Sequence, residues 1–291
     1  MEDVLRPIYQ ERASYEETLG IIYLEKKKAV SPVTDNFDVI LLVVVKEAED
    51  PWYVKHYEFD GRSAALHVVE ESLLNRWIRT STFRRAVEWV TDGTVVFERN
   101  DYIRLLKKEL QQFPFEQRGK KKVIEFAKLI RNYSESKDLY NSRHYLDAFS
   151  RMVRCLHYLG RLSIIEKGFH PEVTVWNQVK RIDPEIHKLY QELIESEESV
   201  DKRVELMVLA LEHSISRRAE NSMQHFFDVM KEKEESWTFG ELKVHPDVED
   251  YALDLSAMME FAVKKGYVNV ELHTTKGERI YHREYRLAPD L

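Results

Sequence analysis

Thiol chemistry is nearly absent from this chain. Its one cysteine, Cys155, cannot form an intrachain disulfide, and it lies among apolar residues at helical spacing, where a buried inert thiol is expected. Long hydrophobic runs are also missing. The longest, Val39 to Val45, is strand-sized and far short of a bilayer span, and Met1-Glu2-Asp3 offers no basic n-region. Both features point to a cytoplasmic protein with no membrane partner. Excess positive charge is lacking too: 44 Lys and Arg stand against 51 Asp and Glu, a net charge of −7. That balance argues against a protein whose main work is gripping a polyanion, because such affinity depends on basic side chains displacing counterions. The densest basic cluster, Arg118 with Lys120, Lys121 and Lys122, reads as a solvated helix start. No internal repeat or low-complexity segment interrupts the chain.

What is present is enough apolar material for more than one core. With 291 residues, 43% of them hydrophobic and 33% charged, the chain suits two or three folded units. In the first third, Thr18–Leu24, Phe37–Val45, Tyr53–Phe59, Ala64–Val69 and Thr94–Glu98 read as strands. A helix is expected near Val4–Ala13, and others over Glu71–Ile78 and Phe83–Val90. The unalternated run Val39–Val45 predicts a central strand covered on both faces. From about Lys121 the period becomes helical, with stripes such as Val123, Phe126, Ala127 and Ile130, and further helices over Thr174–Arg181, Pro184–Ser196 and Val200–Arg218. The last stretch gives a short helix near Glu241–Val244, a longer one near Val248–Lys265, and two runs flanking Lys276-Gly277-Glu278 that read as a hairpin. That order is the order of a winged helix. The expected fold class is therefore α+β, in three parts: 1–117 α/β, 118–235 a helical bundle, 236–291 winged-helix-like.

The candidate chemistry sits at Ser31-Pro-Val-Thr-Asp-Asn-Phe-Asp38, which delivers polar residues to the edge of the buried strand. Carboxylates two apart on a strand share a face and can jointly hold Mg²⁺ against a triphosphate. Thr34-Asp35-Asn36-Phe37-Asp38, followed by apolar residues, resembles the catalytic strand of the nucleotidyltransferase superfamily, where Ser or Thr precedes Asp-X-Asp. The i−2 partner of Asp38 is the neutral Asn36, and Asp35 is one position out of phase unless a bulge re-aims it. Where the superfamily carries a Gly-Ser pair, this chain has Leu24-Glu25. Turn formation alone is an equally good account of Thr34–Asp38.

The order of parts, together with Pro171–Leu193 and its Val175-Trp176-Asn177-Gln178-Val179, is most similar to the nucleotidyltransferase-like proteins of Gram-positive bacteria. That resemblance implies Mg²⁺ with a nucleoside triphosphate as cofactor. It implies Asp38 and Asp35 as metal and catalytic ligands, with His67 or Glu70 as further candidates, and Lys27, Ser31, Thr34 and Asn36 around the nucleotide. Lys26 to Lys28 would neutralise phosphates or simply form a solvated turn. The helix expected at Val248–Lys265 carries Glu249, Asp250, Asp254 and Glu260, and from Trp237 onward seven basic residues face ten acidic ones. Its partner is then expected to be a protein rather than DNA. Three functions stay open: a nucleotide-binding or regulatory protein with a degenerate metal site, an active Mg²⁺-dependent transferase modifying a small molecule or protein, and a non-catalytic scaffold.

Overall fold

The computed structural model describes residues 2–113, 115–277, 279–289 and 291; Met1 and the hairpin residue Glu278 lie outside them. The chain folds as two compact units, Met1–Gln117 with Gly168–Thr174, and Arg118–Lys167 with Val175–Leu291.

The first unit is built on a five-stranded sheet of β1 (Thr18–Glu25), β2 (Val39–Val45), β3 (Trp52–Phe59), β4 (Arg62–Glu70) and β5 (Thr94–Glu98), ordered β3-β4-β2-β1-β5. β2 and β4 run parallel and the other pairs antiparallel. Every residue of β2 is buried, as its unbroken apolar run requires. One face packs Val39, Leu41 and Val43 under α1 (Glu2–Ser14) through Leu5 and Tyr9. The opposite face packs Ile40, Leu42 and Val44 under α2 (Glu71–Thr80), α3 (Arg84–Asp92) and α4 (Tyr102–Gln112). α4 has no counterpart in the sequence reading, although Ile103, Leu106 and Leu110 supply its buried stripe. β3 and β4 join through Asp60-Gly61, both at positive φ, as a two-residue hairpin turn demands.

The second unit begins with α5 (Phe115–Asn141), α6 (Tyr145–Glu166), α7 (Val175–Ile182), α8 (Pro184–Glu195) and α9 (Val200–Met230). α9 runs twelve residues past its expected end at Arg218, because Ala219, Ser222, Met223, Phe226 and Phe227 continue its buried face. β6 (Trp237–Thr238) and α10 (Phe239–Val244) follow, the latter started by a Thr238–Glu241 capping box. The longer helix expected at Val248–Lys265 is two pieces: a 3₁₀ turn at Glu249–Tyr251 and α11 (Leu255–Lys264). Glu249, Asp250 and Asp254 thus precede α11, leaving Glu260 as the one acidic residue on it. β7 (Val268–Thr274) and β8 (Tyr281–Leu287) close the three-stranded sheet β6-β8-β7. One hydrophobic cluster runs through both the helices and this winged-helix part. Cys155 is buried in it, and burial pushes its thiol pKa up.

The basic cluster at the start of α5 is not a solvated face. Lys121 and Lys122 are only 2% and 4% exposed, and desolvation pulls Lys121 down to about 7. Lys122 donates to the carbonyl and side-chain oxygens of Asn221, and Lys120 pairs with Asp247 and Asp250. These lysines are spent on tying α5 to α9 and to the turns before α11.

Gly20, whose added Cβ would stand 2.3 Å from Ile103 Cγ1, and Gly93 mark the closest approaches in the first unit. A Cβ on Gly93 would stand 2.2 Å from Ile22 Cγ2 and 2.6 Å from the Trp89 carbonyl oxygen. Gly93→Ala should therefore cost about 1–3 kcal/mol through overpacking, read as a lower urea midpoint with an unchanged slope.

Candidate functional site

Residues 31–37 form a tight turn between β1 and β2, and nearly every polar group in it is already committed. The amides of Thr34 and Asn36 donate to the Ser31 carbonyl, and Phe37 donates back to the Thr34 carbonyl. Asp35 and Asn36 both occupy the left-handed region, at φ 50° and 67°, a conformation that Asn and Asp tolerate better than other side chains. The turn is anchored from α3: Trp89 Nε1 donates to the Val33 carbonyl at 2.8 Å, and Arg85 pairs with Asp35.

Asp38 lies one residue before β2, on the face that continues as Ile40 and Leu42, and stitches three strands together. Its amide donates to the Ser63 carbonyl at the start of β4, and its carbonyl accepts from the Lys26 amide at the end of β1. The side chain is equally engaged: Oδ2 accepts from the Ser63 amide at 2.9 Å, and Oδ1 lies 3.2 Å from Lys26 Nζ. Lys26 Nζ also donates to the Asn36 carbonyl at 3.0 Å. The Ser63 amide, then Lys26, hold the Asp38 carboxyl below the usual aspartate range.

These placements test whether a divalent cation fits. Asn36 is not on the strand, so the spacing of two that would align it with Asp38 does not apply; its Oδ1 accepts from the Ser31 amide at 3.0 Å. Asp35 is turned to Arg85, with no bulge bringing it inward. Glu70 caps the far end of β4, opposite Val45, and accepts from Ser72 Oγ. Seven residues of parallel strand separate it from the level of Asp38, about 23 Å. His67 is on the same face as Asp38 but packs in a cage of Trp52 and Trp89, with Nδ1 accepting from Trp52 Nε1 at 3.2 Å. Burial lowers it to about 4, so it is neutral with its proton on Nε2, and neither nitrogen offers a lone pair to a metal. Among the described residues no three His, Cys, Asp or Glu side chains converge on a metal-sized point. The donors present do not fit Mg²⁺.

This fold is shared with known proteins. A nucleotidyltransferase-like family pattern matches residues 1–118, a YgxA-like substrate binding domain matches 119–218, and a helix-turn-helix domain matches 224–287. The Bacillus subtilis (strain 168) protein YgxA is 47% identical over 285 residues, 98% of this chain and 97% of its own. The chain belongs to the YgxA-like family of nucleotidyltransferase-like proteins. The crystal structure of a nucleotidyltransferase-like protein from Exiguobacterium sibiricum 255-15 is 39% identical, with a TM-score of 0.83 over 99% of both chains. The helix-turn-helix match of this family member begins inside α9 and runs through α10 and α11, which follow one another as a pair of helices.

Beside the Asp38 node, the nucleotidyltransferase-like unit has a cavity of about 250 Å³. Lys27, Lys28, Ser31 and Thr34 line it, so three of the residues expected around a nucleotide come together here. Asn36, Asp35 and Asp38 are not among its walls. Thr34 is 2% exposed, and its hydroxyl has no hydrogen-bond partner among the described residues. The remaining walls mix the carboxylates of Glu25, Glu88, Asp92 and Glu172 with Leu24, Val30, Pro32, Val33 and Thr174. Glu88, on α3, accepts from the Val173 amide and is raised above the usual carboxylate range by burial. Sequence reading missed Lys26 as the partner of Asp38, Ser63, Arg85, Trp89 and Glu88. Lys26 could have been found as the lysine just beyond β1, where an antiparallel neighbour places it beside the residue preceding β2.

The ion pair at Asp38 has a defined pH signature. Its folded pKa lies below the ordinary 3.8, so its stabilisation is complete above that value and fades as pH falls through the lower folded value. Lys26→Met should lower stability at neutral pH by at most about 1 kcal/mol. The gap to the wild type should narrow as pH falls below the ordinary aspartate value of 3.8, which urea unfolding at several pH values would measure.

Proposed function

We propose that this chain is a nucleotidyltransferase-like protein whose lysine ammonium stands in for the metal, so that it binds a nucleotide-class ligand or regulates a partner without efficient transfer. The nucleotidyltransferase-like fold generally serves metal-dependent nucleotide chemistry. The observation that carries the reading is Lys26 Nζ, between Asp38 Oδ1 at 3.2 Å and the Asn36 carbonyl at 3.0 Å. A positive charge already neutralises the carboxylate that the family resemblance casts as the second metal ligand, and the side chain at the first position is an amide.

The cavity supports retained binding. Its unpaired Thr34 hydroxyl is a buried polar group that a ligand would satisfy. Four carboxylates against two lysines oppose a bare triphosphate, so the sugar and base ends of a nucleotide suit the cavity better than its phosphates. The helical segment would then present the recognition surface for an acceptor or partner. Among the described residues no helix is long and apolar enough to cross a membrane.

Wild-type protein incubated with ATP, CTP, GTP or UTP and Mg²⁺ should release no pyrophosphate above background. Mg²⁺-dependent release that vanishes in Asp38→Asn would overturn the reading in favour of an active transferase. The variant Lys26→Ala removes the ammonium and frees Asp38 Oδ1; it should take up Mn²⁺ more tightly than the wild type, by calorimetry. Thr34→Val should leave the free protein as stable or slightly more so, yet abolish binding of whichever nucleotide the wild type takes up. Failure of all four to bind at about 1 mM leaves the scaffold reading.

A further inference from the structure

In a DNA-reading helix-turn-helix, the outward face of the second helix must be free to enter a major groove roughly 12 Å wide. Here α11 holds that position, and it is strapped at both ends to other helices of its own unit. At its start, Asp254 is 4% exposed and pairs with Arg131 of α5 at 2.8 Å. At its end, Lys265 Nζ donates to Ser216 Oγ of α9 at 2.8 Å. Between the straps, the Phe261 ring meets Phe126 of α5 edge-on at 5.7 Å. The inward side of α11, Leu255, Met258, Met259 and Ala262, fills the core. Its other side, with Ser256, Ala257, Glu260, Phe261 and Lys264, forms one wall of a cavity of about 510 Å³.

α5 supplies the second wall through Ile130, Tyr133 and Lys137, and α9 the third through Glu212 and Ile215. The volume lies within the range of small-molecule sites. Its chemistry is an apolar and aromatic floor with a charged rim, and most of the rim charges are already paired. Glu135 is held by Arg151, Glu260 by Arg283, and Arg131 by Asp254. Lys137 and Lys264 line the cavity from different helices with no ion-pair partner among the described residues, against the one remaining carboxylate of Glu212.

We propose that the helix-turn-helix is turned inward in this protein: α11 is the wall of a binding site for a small amphipathic anion, an aromatic or aliphatic body with an acidic head, and does not read DNA. Lys137 and Lys264 would face the head and Tyr133, Ile215 and Phe261 the body.

The test uses the full chain and anilinonaphthalene sulfonate, an aromatic anion whose fluorescence reports an apolar site. Lys137→Glu/Lys264→Glu should weaken its binding about tenfold, the scale of two partly exposed ion pairs. Ser256→Trp, which fills the cavity from an exposed position, should remove the cavity-bound signal. Fluorescence anisotropy with a mixed-sequence DNA duplex at low salt should show no binding that depends on Lys264. Circular dichroism reports whether each variant folds, and Lys137→Glu alone, which leaves α11 unaltered, decides if the α11 variants misfold. Probe binding indifferent to both substitutions would overturn the proposal, as would duplex binding lost in Lys264→Glu.

Discussion

The contact on which the first unit turns is the Asp38 carboxylate held between the Lys26 ammonium and the Ser63 amide. Three strands meet there: the end of β1, the entry to β2 and the start of β4 share backbone hydrogen bonds through the same residue. The aspartate here is half-exposed. Paired with a lysine from the adjacent strand end and a backbone amide, it becomes a structural joint. In the reading proposed above, the same pairing takes up the lone pairs that metal-dependent phosphoryl chemistry would use. Geometry that fixes the turn and geometry that would bind Mg²⁺ compete for the same oxygens.

The neighbouring groups follow from that competition. With Asn36 in the left-handed region and bonded to Ser31, and Asp35 drawn out to Arg85, the turn is shaped by short-range hydrogen bonds and by the Trp89 anchor from α3. The cavity beside it is lined by lysines and hydroxyls together with carboxylates. The second unit shows a comparable redirection. Lysines at the start of α5 and an arginine within it, groups that would suit a polyanion, are instead paired with Asn221, Asp247, Asp250 and Asp254 of the same unit.

Much of the architecture was legible because its signals are periodic. The unbroken Val39–Val45 run announced a doubly covered strand, the Val123–Ile130 stripe falls inside α5, and α7 and α8 lie within about a residue of their expected bounds. The misses have physical causes. Arg217, Arg218 and Glu220 look like the polar end of a helix, but Arg217 and Glu220 are exposed on the outer side of α9, Arg218 pairs with Glu166 and Asp183 of neighbouring elements, and Ala219, Met223 and Phe226 continue the core. Asp254 reads as one more acidic residue of a single helix; its burial against Arg131 and the 3₁₀ turn before it depend on a partner 123 positions away. The candidate site was legible as a place, since Ser31, Thr34 and Lys27 do share a cavity. Its state was not. Whether Asn36 and Asp35 point at Asp38 is decided by positive φ angles and by Arg85, none of which leaves a spacing pattern.

The central claim is that the Lys26 ammonium occupies the place of a cation at Asp38, and it is most directly tested by paramagnetic relaxation. Mn²⁺ titrated into isotope-labelled wild-type protein should leave the amide resonances of Lys26, Asp38 and Ser63 no broader than those of surface residues elsewhere. Selective broadening of those three at low Mn²⁺, lost on Asp38→Asn, would mean that the carboxylate does hold a metal and would contradict the account.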